Sequence, residues 1–218
     1  ILDENSDWKV VCLSYERFFN HGDPKCAPVN WDTAKVQEKA DGSLMQLYYY
    51  SGAWMVSTSG VPDAETPVEN YGFTFRELFW KTWDKLGYPD TMKLDTGFCY
   101  AFELITMFNK VLVEYAEPML LLHGVRDMFL LAEVNPEPVA ERFGFKLVRR
   151  FNFNEFKHVL DYLKTMTIED GEGFVVCDGA FNRIKMKNED YCYKAHLKEG
   201  VSSSLKNVIN VIQRGEVD

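Results

Sequence analysis

Residues 44–50 and 53–58 are two strongly β-prone runs separated only by Ser51-Gly52, and that spacing restricts the chain to an antiparallel hairpin there. A second strand pair is expected over 173–178 and 182–187, around Gly179. Residues 98–105 alternate as a strand, 111–115 and 119–122 read as its neighbours, and 9–13 as a short strand. Between them lie helical signals. Over 74–86, Phe75, Leu78, Phe79, Trp83 and Leu86 form one apolar stripe. Thr74 with Glu77 makes a capping box at the start of this stretch, and Gly87 with Pro89 stops it. Asn135-Pro136 opens a short helix ending at Gly144. Phe156, Val159, Leu160, Leu163 and Met166 line another helix, and 203–214 reads as a further one, closed by Gly215. Residues 21–34, with Gly22, Pro24 and Pro28, read as loop. Clustered strands with helices interspersed define an α+β fold with antiparallel sheets flanked by helices.

With no repeat or flexible linker in 218 residues, one domain is expected over 1–198, with 199–218 a C-terminal helical segment that begins a truncated region. The chain opens at Ile1 without methionine, which suggests an excerpt. Five cysteines, odd in number and never spaced as Cys-x-x-Cys, argue against a disulfide framework or zinc site and for a reducing, intracellular setting. No apolar run approaches the roughly 20 residues that span a bilayer, so no membrane partner is expected. A net charge of −9 opposes indiscriminate nucleic-acid binding but leaves room for a local basic groove. The oligomeric state stays open, a monomer being the favoured reading.

Four stretches carry chemistry. Lys39-Ala40-Asp41-Gly42-Ser43 sits where a loop enters the first hairpin strand. By itself it reads as a surface lysine beside a turn. If the amine is held deprotonated, it is a nucleophile that can attack the α-phosphate of a nucleoside triphosphate and keep the nucleotide as a phosphoramidate. On the strand at 98–104, alternation sends Phe98, Tyr100, Phe102 and Leu104 to the core, leaving Glu103 with Cys99 and Ala101 as a floor for a ligand. An ordinary solvated glutamate fits that pattern equally well.

Asp170-Gly171-Glu172-Gly173 places a carboxylate between glycines, a setting that suits Mg²⁺ or an acidic turn. On 183–187, period 2 puts Arg183, Lys185 and Lys187 on one face, where they repel unless an anion lies over them. A solvated basic edge strand is the alternative. The same positive field would help a neighbouring lysine release its proton. The four histidines, His21, His123, His158 and His196, lack metal spacing and read as surface or core residues.

Taken in order, Lys39-x-Asp-Gly-Ser, Phe102-Glu103, Glu172-Gly-Phe-Val and Lys185-x-Lys187 resemble motifs of the covalent nucleotidyltransferases, the polynucleotide ligases and mRNA capping enzymes. Tyr15-Glu-Arg-Phe-Phe-Asn20 upstream is similar to an element of the bacteriophage RNA ligase 1 (tRNA-repair) family. The resemblance spans essentially the whole chain. It implies Lys39 as the adenylylated nucleophile, with Asp41 and Gly42 supporting it. Arg17, Glu38, Glu103, Lys185, Lys187 and Tyr191 would contact ATP, Glu103 at the ribose and Lys187 nearest the α-phosphate. Glu172, and more loosely Asp218, would hold Mg²⁺ or Mn²⁺. The implied partner is RNA with 5′-phosphate and 3′-hydroxyl ends, nicked tRNA among the candidates.

Three departures stand beside this. The family's upstream Arg-Gly element would precede Ile1, Thr58-Ser59-Gly60 stands where a Lys or Arg before Gly is usual, and the helical C-terminal domain would lie beyond Asp218. A GTP-using capping guanylyltransferase and a catalytically silent nucleotide- or RNA-binding relative are the alternatives. Capping enzymes normally continue into an OB-fold after the last motif, and little chain remains here for one.

Overall fold

The structure is a computed structural model that describes residues 1–198, and the helix expected over 203–214, its closing Gly215 and Asp218 lie outside the described residues. In chain order the strands are β1 (Leu2–Asp3), β2 (Lys9–Val10), β3 (Phe19–Asn20), β4 (Lys35–Glu38), β5 (Ser43–Tyr50) and β6 (Ala53–Ser57). They continue as β7 (Phe98–Ile105), β8 (Met119–Asp127), β9 (Ala132–Val134), β10 (Lys146–Leu147), β11 (Arg150–Phe151), β12 (Gly173–Cys177) and β13 (Arg183–Lys187). The helices are α1 (Phe75–Lys85), α2 (Pro136–Phe143), α3 (Phe156–Leu163) and α4 (Glu189–Lys198). None is long and apolar enough to cross a membrane.

The chain divides into two compact units. The first comprises Ile1–Phe18, Asp41–Val111 and Tyr115–Arg149. Its main sheet runs β10-β8-β7-β5-β6, with β9 added to β8; all pairings are antiparallel except β10 on β8. The Ser51-Gly52 hairpin joins β5 to β6 as its spacing demands, with Ser51 and Gly52 both at positive φ. Helix α1 covers one face. Thr74 and Glu77 cap it reciprocally: the Glu77 N–H donates to the Thr74 hydroxyl (3.3 Å) and the Thr74 N–H to the Glu77 carboxylate (2.8 Å). Its stripe buries Leu78, Phe79 and Trp83 against Tyr100, Phe102 and Phe145.

The second unit comprises Phe19–Ala40, Leu112–Glu114 and, among the described residues, 150–198. Its sheet runs β11-β4-β12-β13-β3. Alternation sorts the faces cleanly. Val36, Phe174, Val176, Ile184 and Met186 are buried against Val159, Phe156 and Leu160 of α3. Lys35, Gln37, Arg150, Val175, Lys185 and Lys187 occupy the other, less buried face.

The turn between β12 and β13 is tied by Asp178, which is 5% exposed. Its carboxylate accepts the N–H groups of Asn30 (3.0 Å), Ala180 (2.9 Å) and Asn182 (3.0 Å) and the Asn182 side-chain amide (3.0 Å). Burial alone would raise this carboxyl, but the four donors hold it below the ordinary aspartate value. A lowered folded-state value means that the unfolded chain binds more protons at acid pH. The stabilisation is therefore complete above about pH 4 and is lost as pH falls further. Asp178→Ala is expected to cost about 2–3 kcal/mol at neutral pH and to flatten the acid limb of a urea-denaturation series; an unchanged acid limb would refute it.

Several elements differ from expectation. Residues 111–115 form no strand and enter no ladder. The first strand region keeps only Lys9–Val10, and β8 runs on to Asp127 because β7 gives it partners along its length. β4, β9, β10 and β11 were not expected; each is short, and each exists by pairing with a longer neighbour.

Candidate active site

In the second unit the chain climbs β4 to Lys39, whose N–H donates to the Gly173 carbonyl of β12 (2.9 Å) and extends the ladder one residue past Glu38. That contact needs glycine at 173. Its φ is +134°, and a Cβ would collide with the Met186 carbonyl and press on the Lys187 Cα. The preceding residue, Glu172, is thereby aimed at the lysines. Its two oxygens take one ammonium each: Lys39 Nζ at 2.5 Å and Lys187 Nζ at 2.7 Å. The Glu172 side chain is only 6% exposed, against 24% for Lys39 and 31% for Lys187. A carboxylate so buried is stable only as the counter-charge of such partners.

Around this cluster the remaining residues take defined places. Lys185 shares the open sheet face with Lys187, two residues along the same strand. Tyr191, 4% exposed on α4, lies with its ring centroid 5.9 Å from Lys187 Nζ. Cys192, the next residue on the same helix, feels the charges of Lys187, Glu172 and Lys39. Burial raises its value, so it stays protonated and offers no competing nucleophile. Further along the sheet Lys35 is pushed below the ordinary lysine value, first by burial and then by the Arg150 charge. Glu38 falls on the Val36 side of β4, paired with Phe174, away from the cationic face.

Asn188, 1% exposed, is a supporting residue that sequence reasoning missed. Its amide donates to the Thr167 and Gly171 carbonyls (2.8 and 3.3 Å), its backbone N–H to the Glu172 carbonyl (2.9 Å), and its side-chain oxygen accepts the Asp190 N–H (3.0 Å). It ties the Glu172 turn to the start of α4. An asparagine just before Glu189-Asp190 is a helix-start signal that could have found it.

The first unit holds the other candidates. Asp41 is buried, and its N–H donates to the Tyr115 hydroxyl (3.0 Å). The Gly42 N–H donates to Glu103 Oε1 (3.1 Å), and a Cβ at Gly42 would collide with the Leu104 carbonyl. Glu103 thus braces the turn after the lysine. Cys99 and Ala101, expected beside it as a ligand floor, are instead buried, Cys99 against Cys12 and Tyr48. β7 lies inside the sheet between β5 and β8, and of its residues only Phe98 and Glu103 are not fully buried. Arg17 is exposed in a stretch without regular structure.

The geometry gathers Lys39, Glu172, Lys187, Lys185 and Tyr191 in the second unit and Asp41, Gly42 and Glu103 in the first. Among the described residues no group of three or more His, Cys, Asp or Glu could by itself hold a metal ion. A lysine amine on a buried acid, with a second lysine on the same acid and a third along the strand, can hold phosphate oxygens and offer a nucleophile beside them.

The comparisons agree on the fold and narrow the class. Residues 1–201 match the RNA ligase family, in its bacteriophage T4 RNA ligase 1 branch, and the chain belongs to that family. It is 32% identical to the RNA ligase of Rhodothermus phage RM378, over 57% of this chain and 35% of that protein. Among solved structures, an archaeal ATP-dependent RNA ligase superposes with a TM-score of 0.66 at 14% identity, covering 89% of this chain and 55% of that one. A Naegleria gruberi RNA ligase with pyrophosphate superposes at 0.56 and 15% identity, covering 75% and 52%. The chain therefore spans between a third and about half the length of these relatives.

Proposed function

We propose that this chain is the adenylylating part of an ATP-dependent RNA ligase, working in a reducing intracellular compartment. The observation that carries the reading is the shared Glu172 carboxylate, which draws Lys39 and Lys187 to within 2.5 and 2.7 Å. A candidate nucleophile, a cation suited to phosphate and an acid suited to a metal thus stand together.

In the first step Lys39 Nζ releases one proton to solvent and attacks the α-phosphorus of ATP with its freed lone pair. The P–N bond forms as the bond to pyrophosphate breaks, pyrophosphate leaves with the bonding pair, and the nitrogen sheds a second proton to solvent. In this reading Lys187, paired with the same carboxylate, takes the charge that builds on the α-phosphate, and Lys185 that of the neighbouring phosphates. In the second step an oxygen of an RNA 5′-phosphate attacks the phosphorus of lysyl-AMP, the P–N bond breaks, and Lys39 regains its protons. In the third an RNA 3′-hydroxyl attacks that activated 5′-phosphate, and AMP leaves with the bonding pair.

Glu172 fits Mg²⁺ or Mn²⁺, which accept one protein carboxylate with waters and phosphate oxygens and would supply Lewis-acid polarisation and charge neutralisation. The pyrophosphate named with the Naegleria gruberi ligase, a product of the first step, supports the same reading.

The test is a label chase. Protein incubated with α-labelled ATP and Mg²⁺ is expected to carry label through a denaturing gel. Adding RNA with a 5′-phosphate is expected to move the label to RNA, and a free 3′-hydroxyl then to release it as AMP. Label from GTP alone would replace this reading with a capping guanylyltransferase, and label from neither nucleotide with a silent relative.

A further inference from the structure

One side chain in the first unit is out of register with its sheet. Ala101 pairs with Gly124 and Phe102 with Leu122, so His123 is the extra residue of a bulge in β8. Bulges re-aim a side chain, and this one turns the imidazole toward Glu103. His123 Nε2 lies 3.5 Å from Glu103 Oε2, and it is a buried side-chain nitrogen with no hydrogen-bond partner. On the other side of the ring, Nδ1 is 2.5 Å from the Tyr15 hydroxyl, and the two rings stack with centroids 5.4 Å apart. Tyr15 reaches this place because residue 124 is glycine; a Cβ there would fall on the phenol oxygen.

The arrangement selects one tautomer. With a proton on Nδ1, the bare Nε2 lone pair would face a carboxylate oxygen, which is repulsive. With the tyrosine hydroxyl donating to Nδ1, the proton sits on Nε2 and points at Glu103. Glu103 then accepts the Gly42 N–H at Oε1 (3.1 Å), while Oε2 faces the His123 N–H across 3.5 Å, a charge–dipole contact longer than a hydrogen bond. Contacts at both oxygens limit the swing of the carboxylate.

We propose that His123, oriented by Tyr15, is a positioning residue that fixes Glu103 for recognition of a ribose hydroxyl and so sets the preference for ATP over 2′-deoxy-ATP. The inference rests on the ligase reading together with the ribose contact that the resemblance implies for Glu103. A carboxylate held at both oxygens discriminates a hydroxyl by direction. One held at Oε1 alone can swing and accept the deoxy sugar's surroundings with less loss.

The experiment measures single-turnover lysine labelling with ATP and with 2′-deoxy-ATP, and reads the ratio of the two rates. His123→Ala is expected to shrink that ratio about tenfold, the order of one hydrogen bond to a charged group. His123→Gln, whose amide nitrogen can take the place of Nε2, is expected to restore most of it. His123→Asn, whose amide mimics Nδ1, is expected not to, and Tyr15→Phe to fall between. Imidazole ¹⁵N shifts of the wild type are expected to show the Nε2–H form.

Loss of both labelling rates in equal proportion in His123→Ala, with no rescue in His123→Gln, would mean a structural role only and overturn the proposal. So would an Nδ1–H wild type. Wild-type protein that takes no label from ATP would instead bring down the ligase reading, and this inference with it.

Discussion

Lys39→Ala is expected to reduce ATP-dependent labelling of the protein by about 10³-fold or more, to background on a denaturing gel, because on the proposed reading the Lys39 nitrogen forms the bond to phosphorus. Lys39→Arg separates charge from nucleophilicity. A guanidinium can keep the pair with Glu172, seen at 2.5 Å for Lys39, but it does not surrender its proton at neutral pH. It should preserve the thermal midpoint and still give no label. If Lys39→Arg labels at anything near the wild-type rate, the covalent step does not run through residue 39.

The second large effect is expected at Glu172. Glu172→Gln keeps the size and removes the charge that Lys39 and Lys187 share, and on the proposed reading it also removes a carboxylate that would hold the metal. Labelling is expected to fall about 10²–10³-fold, and the residual rate to need far more Mg²⁺. Stability should fall by only about 1–2 kcal/mol in urea denaturation. Both lysines are already a quarter to a third exposed and can return to water, so the full penalty of a broken buried pair does not apply. A variant that labels normally at ordinary Mg²⁺ would show that Glu172 is merely structural. Glu172→Asp, with the charge retained but drawn back, is expected to lie between the two.

What the sequence made legible was local. The Ser51-Gly52 hairpin, the Thr74–Glu77 capping box and the Asn135-Pro136 helix start are each written within a few residues, and each is found as read. The lysine-rich strand and the Asp-Gly turn were equally plain, since period 2 and turn chemistry need no distant partner.

Illegible features were those made by contacts across the chain. Residues 35–38 lack a strong β signature and become a strand by lying between β11 and β12. Residues 111–115 have the signature but no ladder to join. The bulge that turns His123 toward Glu103 exists only in the register of β7 with β8, so the sequence offered that histidine as an ordinary surface or core residue. Glu103 was read as a ligand contact; its bond to the Gly42 N–H shows that it also holds the turn beside the lysine.

Gly173 bears on any attempt to move this chemistry to a new scaffold. The lysine's height above the sheet is set by a main-chain carbonyl on the adjacent strand, at a backbone conformation closed to L-residues with side chains. Grafting Lys39, Glu172 and Lys187 alone would transplant the functional groups without the stage that levels them. The smallest portable unit is two neighbouring strands with their glycine, and a designer who fills that gap with alanine to stiffen the sheet would tilt the amine away from its target.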